Sequence, residues 1–264
     1  MGKGFIAAAV QMDCRPGGRT ENLARAEALI RRAAESGARL IVLPELFHTG
    51  YRVEEHDAEL AEPVPGPVTA WMQEQAERYG AYLAAAVMEK TGEGIYDTAV
   101  LAGPGRLLFT HRKIHLWGGE TARFRKGGSL RTVQLPFARV GLIICYEVGF
   151  PEEARALAMQ GAQVILCPSA FGRARDYAWD TATKSRALEN GVFLIAANRC
   201  GKEKDSEFGG LSRIVAPDTS ILAGAGAAEE AVLCASIDLD AVEKQRQAIP
   251  YLRDLDPRFR IHFS

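Results

Sequence analysis

The fold of this chain is decided by one stretch, Val140-Gly141-Leu142-Ile143-Ile144-Cys145-Tyr146-Glu147-Val148-Gly149-Phe150-Pro151-Glu152-Glu153. It begins with a short, β-branched apolar run, which is typical of a strand buried on both faces. It continues into a helix start, because proline suits the first helical turn and the two glutamates after it suit the positive end of a helix. Cys145 is therefore predicted at a tight bend between a core strand and a helix, where α/β enzymes hold a nucleophile. A free cysteine is more often a small buried hydrophobe, so other parts of the chain have to support a catalytic interpretation.

The composition is that of an ordinary globular protein. The chain has 264 residues, 47% hydrophobic and 25% charged, and no linker or repeat divides it, so we expect one domain over residues 1–264. A formal net charge of -1 gives no reason to expect nucleic acid or a membrane as partner. The 5 cysteines form no Cys-x-x-Cys pair, which favours reduced thiols over disulfides or a zinc site. Without a signal peptide or a run of transmembrane length, the protein is predicted to be cytoplasmic.

A β-α-β unit opens the chain. The periodicity predicts a strand over residues 5–12, an amphipathic helix over 21–36 and a second buried strand over 40–45. Glu45 follows the apolar part of that second strand, at the carboxyl edge of an α/β sheet, where ligands bind. Taken alone, a glutamate after a proline could equally be a solvated loop residue.

The rest of the chain alternates strands and helices around a group of closely spaced strands. A helix is expected over 68–79, then antiparallel strands over 82–88, 96–102 and 107–110, and a long irregular loop over 111–128. After the Cys145 stretch we expect a strand over 163–167, a helix over 179–190, a strand over 192–198, mutually antiparallel strands over 211–216, 221–223 and 231–238, and a short helix from 239. This order predicts two sheets flanked by helices, an α-β-β-α layering.

Three reactive side chains fall at or near predicted strand ends: Glu45, Lys113 and Cys145. A thiol needs a base to become a thiolate, and a tetrahedral intermediate needs a positive donor for its oxyanion. A glutamate and a lysine supply both without a histidine. Each residue alone is a weak signal, but the combination indicates nucleophilic catalysis by the cysteine.

Three motifs, in order, resemble those of the carbon–nitrogen hydrolase (nitrilase) superfamily. They are Leu43-Pro44-Glu45-Leu46-Phe47, His111-Arg112-Lys113-Ile114-His115-Leu116 and Ile144-Cys145-Tyr146-Glu147-Val148-Gly149-Phe150-Pro151-Glu152, and downstream blocks are similar too. The resemblance covers nearly the whole chain. It implies a four-layer α-β-β-α sandwich that pairs into a homodimer or larger assembly, a Glu-Lys-Cys triad at the three residues above, and no metal or organic cofactor. Glu120 matches a further family glutamate by position, and we assign it to orienting Lys113 or the substrate amide.

These roles predict hydrolysis of a small linear carboxamide through a thioester. Glu45 is expected to take the proton of Cys145, whose thiolate attacks the carbonyl carbon while Lys113 and the backbone N–H of Tyr146 hold the oxyanion. Ammonia leaves, and a water activated by the same glutamate hydrolyses the thioester to a carboxylic acid.

The chain departs from the family's frequent Cys-Tyr-Asp-x-Arg-Phe-Pro-Glu pattern at two positions. Glu147 stands where aspartate is common, and Gly149 stands where arginine is common. If that arginine holds acidic substrates in some members, its absence weakens the case for an acidic amide. Nitrilases tend to have Cys-Trp-Glu and a longer C-terminal extension, so Tyr146 and the chain's length favour an amidase.

The substrate pocket is predicted from residues on loops that leave the sheet edge. They are Tyr51, Trp117, Ala170, Phe171 and Trp179. For Trp179, which lies on a predicted helix, core packing explains the residue as well as substrate contact does. An apolar, aromatic pocket suits small aliphatic or aromatic amides.

Other functions stay open at this point. N-carbamoyl compounds and nitriles are alternative substrates, and an acyltransferase or a non-catalytic partner on the same fold is a more distant alternative. A cysteine–histidine hydrolase using His48, His111 or His115 lacks a local signature. Gly224-Ala225-Gly226 lacks the third glycine of a nucleotide fingerprint, and the basic residues over 112–126 are explained by a solvated loop.

Overall fold

Two six-stranded β-sheets stack face to face in the computed structural model, which describes residues 4–259. The strands of the first sheet are, in spatial order, β14 (Ala231–Asp238), β1 (Gly4–Gln11), β2 (Ala38–Glu45), β3 (Tyr82–Thr91), β4 (Gly94–Gly103) and β5 (Arg106–Arg112). Those of the second are β13 (Ile221–Gly224), β12 (Arg213–Val215), β9 (Phe193–Asn198), β8 (Val164–Ser169), β7 (Arg139–Leu142) and β6 (Thr132–Gln134). A separate two-stranded hairpin consists of β10 (Lys202–Glu203) and β11 (Ser206–Glu207).

Helices cover the outer face of each sheet. The long helices α1 (Arg19–Glu35) and α3 (Pro67–Tyr79) pack on the first sheet, and α5 (Pro151–Met159) and α6 (Asp176–Asn190) pack on the second. The shorter helices are α2 (Asp57–Leu60), α4 (Glu120–Arg123), α7 (Asp240–Ala248) and α8 (Tyr251–Asp254), with 3-10 helices at Glu54–His56, Cys145–Gly149, Arg173–Arg175 and Pro257–Phe259. The predicted four-layer α-β-β-α sandwich is confirmed. Within residues 4–259, no helix has the length and apolar character needed to cross a bilayer.

Two apolar cores explain why the strands are hydrophobic on both faces. One core lies between the sheets and beneath α5 and α6, and it includes Ala7, Val42 and Ile165. The other lies between the first sheet and the helices α1 and α3, and it includes Ala8 and Ile41. Successive side chains of a strand point to opposite faces, so neighbouring residues of β1 and β2 enter different cores. A continuous apolar run is therefore what each central strand needs.

The carboxyl ends of strands from both sheets meet at one edge of the sandwich. The backbone N–H of Ala170, just beyond β8, donates to Oε2 of Glu45 at the end of β2, at 2.7 Å. Strand β7, which runs parallel to β8, leads into Cys145 at the same edge. The sheet stacking thus brings the predicted base and nucleophile together from residues one hundred positions apart.

The segment predicted as an irregular loop over residues 111–128 is partly regular, so that expectation is corrected. Strand β5 continues to Arg112, pairing His111 with Ala99 and Arg112 with Thr98, and residues 120–123 form α4. Polar side chains can extend the strand because both find partners: His111 Nε2 lies 2.9 Å from Glu147, and Arg112 donates to Glu89 at 2.8 and 2.7 Å. Lys113 is consequently the first residue beyond a strand.

Two further expectations change. Strand β7 ends at Leu142, and a 3-10 helix, Cys145–Gly149, separates it from α5, which starts at Pro151 as predicted. The last strand, β14, pairs antiparallel with β1 along its full length, from Gly4 with Asp238 onward, and joins the other sheet instead of pairing with β12 and β13. Local periodicity identifies a strand but not its partner, which tertiary packing selects.

Gly141 on β7 lies under Leu157 of α5 in the strand that leads to Cys145. A Cβ built on Gly141 would stand 2.7 to 3.0 Å from three carbon atoms of the Leu157 side chain, which is fully buried. Because close-packed interiors cannot yield freely, an added methyl group here forces the helix or strand to shift.

We therefore expect Gly141→Ala to lower the free energy of unfolding by about 1–3 kcal/mol through overpacking. Gly149→Ala is the matched control, because no atom lies within 4 Å of the Cβ position there. Urea denaturation of both variants beside the parent protein measures the effect. Equal stability of the two variants would show that α5 does not constrain this strand.

Candidate active site

A buried ion cluster centres on Lys113. Its Nζ lies 2.6 Å from Oε1 of Glu45, 2.8 Å from Oε1 of Glu120 and 3.3 Å from Oδ2 of Asp97. The four side chains are between 0% and 1% exposed. Glu45 ends β2, Asp97 lies on β4 and Glu120 begins α4, so three separate elements converge on the one ammonium group. Away from solvent, the positions of these groups are set by their mutual charge and hydrogen bonds.

The carboxyl groups around Lys113 differ in protonation. Burial raises the pKa of Asp97 well above its usual range, with support from the negative charges of Glu45 and Glu120. Burial also opposes ionisation of Glu45, but the Lys113 charge and hydrogen bonds from Asp97, Lys113 and Cys145 outweigh it and lower its pKa. Burial alone would lower the pKa of Lys113, yet the surrounding carboxylates raise it well above its usual value. Glu45 is therefore a carboxylate, Lys113 is an ammonium, and Asp97 is a neutral acid that can donate to Glu45.

Cys145 occupies a strained position beside this cluster. Its φ of 48° lies in the left-handed region, which a side chain with a Cβ rarely adopts, and it begins a 3-10 helix. The Glu45 carboxylate, which accepts from the backbone N–H of Ala170 at 2.7 Å, is the charge that acts most strongly on the thiol. Burial raises the pKa of the Cys145 thiol well above its usual value, and the Glu45 charge adds to this more than Lys113 subtracts. The resting group is a neutral thiol whose proton faces an anionic acceptor.

Glu120 connects the lysine to the mouth of the site. Its Oε1 accepts from the Tyr51 hydroxyl at 2.6 Å as well as from Lys113, and its Oε2 accepts from the backbone N–H of Trp117 at 2.7 Å. Burial and the charge of Glu120 raise the pKa of Tyr51 well above its usual range, which keeps it a phenol. Glu120 therefore fixes both the ammonium and two aromatic residues of the pocket wall.

Glu147 ties the cysteine segment to the lysine segment. One oxygen accepts from the backbone N–H of Ile144 at 2.7 Å and lies 2.9 Å from His111 Nε2. The other accepts from the backbone N–H of Ile114, the residue after the lysine, at 2.5 Å. Burial opposes its ionisation, but His111 and the two backbone donors lower its pKa. The glutamate that replaces the family's frequent aspartate thus anchors both catalytic segments with one carboxylate.

His111 and His115 interact with carboxylates and not with the Cys145 thiol. His111 is bonded to Glu147, and His115 Nδ1 is hydrogen-bonded to Glu153. Burial lowers the pKa of His48 to about 3, so this ring is neutral. Burial, followed by the charge of Glu147, raises the pKa of Glu153 to about 10. The carboxylate beside Cys145 is that of Glu45, and none of the histidines within residues 4–259 is hydrogen-bonded to the thiol.

Among residues 4–259, two sets of side chains have ligand atoms close enough together to hold a metal ion: Glu45 with Asp97 and Glu120, and His111 with Glu147 and Glu153. In the first set, the Lys113 ammonium already lies between the carboxyl groups and supplies the positive charge. In the second, both oxygens of Glu147 are engaged by backbone N–H groups. Three ligand atoms of these sets, Asp97 Oδ1, His111 Nδ1 and Glu153 Oε2, are buried without a hydrogen-bond partner.

A pocket of about 190 Å³ opens over the Cys145 thiol. It is lined by Tyr51, Trp117, Cys145, Tyr146, Val148, Gly149, Ala170, Phe171, Gly172, Arg175, Ala178, Ala182, Ser206 and Phe208. Four predicted substrate-binding residues, Tyr51, Trp117, Ala170 and Phe171, are among them. Trp179 is not among them: its ring packs behind Phe171, with 5.2 Å between the ring centroids, and its Nε1 donates to the Leu211 carbonyl at 2.9 Å.

Several residues of the site were missed by sequence reasoning. Asp97 carries a signal, since it is a lone acid inside the apolar strand β4. Arg175 and Ser206 lie in polar segments that look like ordinary surface loops. Phe208 reaches the pocket from beyond the β10–β11 hairpin, and its T-shaped contact with Tyr51, at 5.9 Å, has no local signature in the sequence.

Comparison with known proteins places this geometry in a family context. A family model described as "Carbon-nitrogen hydrolase" matches residues 6–247. A nitrilase from Pyrococcus abyssi is 39% identical over 244 residues, covering 91% of this chain and 90% of the relative. The omega-amidase NIT2 of Homo sapiens is 35% identical over 248 residues, covering 89% of each. A structure of a Nesterenkonia sp. AN1 amidase with acrylamide added to its active-site cysteine has a TM-score of 0.83 and 29% identity, covering 93% of this chain and 98% of that one.

We expect Asp97→Asn to preserve the reactivity of Cys145, because the amide is a neutral isostere of the protonated acid. Glu45→Gln, by contrast, removes the proton acceptor and should slow alkylation of Cys145 by iodoacetamide at least about tenfold. Mass spectrometry of the labelled peptide follows the rate, which in Asp97→Asn should stay within about threefold of the parent rate. Equal slowing in the two variants would show that Asp97 is ionised.

Glu153 generates a pH-dependent prediction. Its pKa is about 10 in the folded protein, whereas the ordinary value for a glutamate is 4.5. Between these two pH values the unfolded chain binds fewer protons than the folded chain, so the free energy of unfolding falls as the pH rises. Glu153→Gln cannot lose a proton. Its free energy of unfolding relative to the parent should therefore increase from pH 5 to pH 8, with a slope of at most about 1.4 kcal/mol per pH unit.

Urea denaturation at several pH values measures this difference. Glu74→Gln is the matched control, because that glutamate is exposed on α3, which packs on the other sheet. A pH-independent difference for Glu153→Gln would contradict the assignment of a buried neutral acid.

Proposed function

The chain belongs to the carbon-nitrogen hydrolase family, and on this basis we propose that it is an amidase that hydrolyses a small linear carboxamide to a carboxylic acid and ammonia. One arrangement carries the proposal: the Glu45 carboxylate, held at 2.6 Å by Lys113, lies beside the Cys145 thiol beneath an open pocket. The likeness to human omega-amidase NIT2 and to the Nesterenkonia amidase supports an amide substrate.

The first half of the proposed reaction forms a thioester. Glu45 takes the proton of Cys145 as the sulfur attacks the carbonyl carbon, so the high pKa of the thiol does not require a free thiolate beforehand. Lys113 Nζ and the backbone N–H of Tyr146, which lies in the first turn of a 3-10 helix, stabilise the oxyanion. Glu45 then gives its proton to the leaving nitrogen, the C–N bond breaks, and ammonia departs.

The second half consumes the thioester with water. Glu45 takes a proton from water as its oxygen attacks the thioester carbon, and the same two donors hold the second oxyanion. The C–S bond breaks, the sulfur recovers its proton from Glu45, and the carboxylic acid leaves. One amide and one water give one acid and one ammonia, and these side chains supply each proton transfer.

A nitrile is the second candidate substrate, favoured by the 39% identity to the Pyrococcus abyssi nitrilase. Attack of the same thiol on a nitrile carbon gives a thioimidate, and two waters are then needed to reach acid and ammonia. Tyr146 and Gly149, close to the cysteine in the chain, are both uncharged, so their charge does not indicate whether the substrate is an amide or a nitrile. Turnover of an amide and its matching nitrile, measured side by side, does.

We expect the purified protein to release ammonia from small amides, and Cys145→Ala to lose at least about 10³-fold of that activity while remaining folded. The assay compares amides, the corresponding nitriles and N-carbamoyl amines. Cys234→Ala is the matched control, because this half-buried cysteine lies on β14, outside the pocket. Ammonia release that persists in Cys145→Ala would overturn the mechanism, and release from nitriles alone would favour the second candidate.

A further inference from the structure

The pocket over Cys145 has room for much more than the amide group that reacts there. Its volume is about 190 Å³. In an apolar environment, a cavity of about 150 Å³ is large enough to hold one benzene ring. A primary amide group consists of three heavy atoms, so most of the pocket is available to the substituent of the acyl group. The chemistry of the pocket walls therefore indicates which substituent fits.

The side of the pocket that α6 contributes carries small side chains. Ala178 and Ala182 line the pocket, and because they are four positions apart in a helix they lie on the same face, one turn from each other. Helix α6 packs against the 3-10 helix Cys145–Gly149, whose last residue also lines the pocket. Apart from chain neighbours, no atom lies within 4 Å of the place where a Cβ would stand on Gly149. Small residues at these three positions leave the space that a bulky acyl group needs.

Aromatic rings that are held from behind form another part of the wall. Phe171 packs on Trp179, with 5.2 Å between the ring centroids. Phe208 makes a T-shaped contact with Tyr51 at 5.9 Å, and the guanidinium of Arg199 lies 4.0 Å from the centroid of its ring. Rings fixed in this way present a rigid apolar surface, and aromatic side chains pack best in offset or edge-to-face contact with another ring.

Arg175 adds a cation to this wall. Among the described residues that line the pocket, it is the one side chain with a formal charge at neutral pH. Within residues 4–259 it takes part in no ion pair or side-chain hydrogen bond, and its contacts are with rings: Cζ lies 4.4 Å from the centroid of Trp117 and 5.7 Å from that of Phe171. A guanidinium attracts the face of a further aromatic ring, whereas a saturated ring has no such face.

We propose that the pocket selects an acyl group that carries an aromatic ring on a short methylene chain. Resting on the amidase function above, this assigns the substrate class as amides of arylalkanoic acids. The amide carbon lies at Cys145, and the ring lies against Phe171 and Phe208. Ala182 gives the ring its space, and Arg175 distinguishes it from a saturated ring of similar size. Both residues are specificity-determining, and neither takes part in proton transfer.

The experiment compares kcat/KM for propanamide, 3-phenylpropanamide and 3-cyclohexylpropanamide, with glutaramate as a charged competitor. The parent enzyme should prefer 3-phenylpropanamide over propanamide by at least about tenfold, because the ring leaves water on binding. It should also prefer 3-phenylpropanamide over 3-cyclohexylpropanamide by at least about threefold, because only the phenyl ring offers a π face to the guanidinium. The cyclohexyl ring is the more hydrophobic of the two, so burial alone would give the opposite order.

Two variants test the two residues separately. Ala182→Leu should lower the ratio of kcat/KM for 3-phenylpropanamide to that for propanamide at least about tenfold, because the larger side chain occupies the space of the ring. Arg175→Leu should bring the ratio of the phenyl to the cyclohexyl substrate to about one, and Arg175→Lys should restore part of it, because an ammonium also attracts a ring face.

Each variant has a matched control outside the pocket. Thr181→Leu places the same side chain at an exposed position of α6, and Arg173→Leu removes the same charge from the 3-10 helix Arg173–Arg175. Both controls should keep the substrate ratios of the parent. If Ala182→Leu behaves like its control, or if the parent hydrolyses propanamide or glutaramate better than 3-phenylpropanamide, the proposed substrate class is overturned while the amidase function stands.

A binding measurement distinguishes failure of the substrate class from failure of the amidase function. Calorimetry of 3-phenylpropanamide with the Cys145→Ala protein should show binding that Ala182→Leu, added to the same protein, weakens at least about tenfold. Such binding without ammonia release from any amide by the parent would overturn the amidase function and keep the site for the aromatic ring. Absence of binding would overturn that site, whichever amides the parent hydrolyses.

Discussion

The contact between Lys113 and three buried carboxyl groups is the constraint on which the rest of the site depends. Burying one ammonium with three ionised carboxylates would leave uncompensated negative charge in a region of low dielectric, at a large cost in desolvation. The cluster reduces that cost because Asp97 retains its proton. The result is a carboxylate at Glu45 that is held by Lys113 and by a neutral donor, and is aimed at the Cys145 thiol.

This arrangement supports the proposal that a cysteine with a high pKa is the nucleophile. Many reactive cysteines are thiolates at rest because a nearby cation lowers their pKa. Here burial and the negative charge of Glu45 favour the thiol form, so transfer of its proton is coupled to attack on the substrate. The ammonium of Lys113 is held by Glu45 and Glu120, and in the proposed mechanism it also stabilises the oxyanion. Preorganised charge of this kind is the usual largest contribution to catalysis of acyl transfer.

The two catalytic segments are joined by hydrogen bonds that leave the pocket wall free to vary. Glu147 links the backbone before Cys145 to the backbone after Lys113, and Glu120 links Lys113 to the aromatic wall. The chemistry is thereby built on strand ends and buried carboxylates, whereas the acyl-binding surface comes from loops and from the Arg173–Arg175 turn. Loops on a rigid scaffold can change their charge without disturbing the nucleophile.

The sequence by itself determined the strands, most helices, the layering and the Glu45, Lys113 and Cys145 positions, because these depend on local periodicity and on motifs at strand ends. Only the tertiary structure decided that β14 joins β1, that Trp179 packs behind Phe171, and that Asp97 and Arg175 belong to the site. Asp97 lies on a strand next to β5, and its protonation depends on burial and neighbouring charges that no local pattern contains. Arg175 looks like an ordinary surface arginine until folding places it over Trp117, fifty-eight positions earlier in the chain. The pairing of strands and the protonation of buried groups depend on contacts between distant segments, because these contacts and the loss of solvent arise only when the chain is packed.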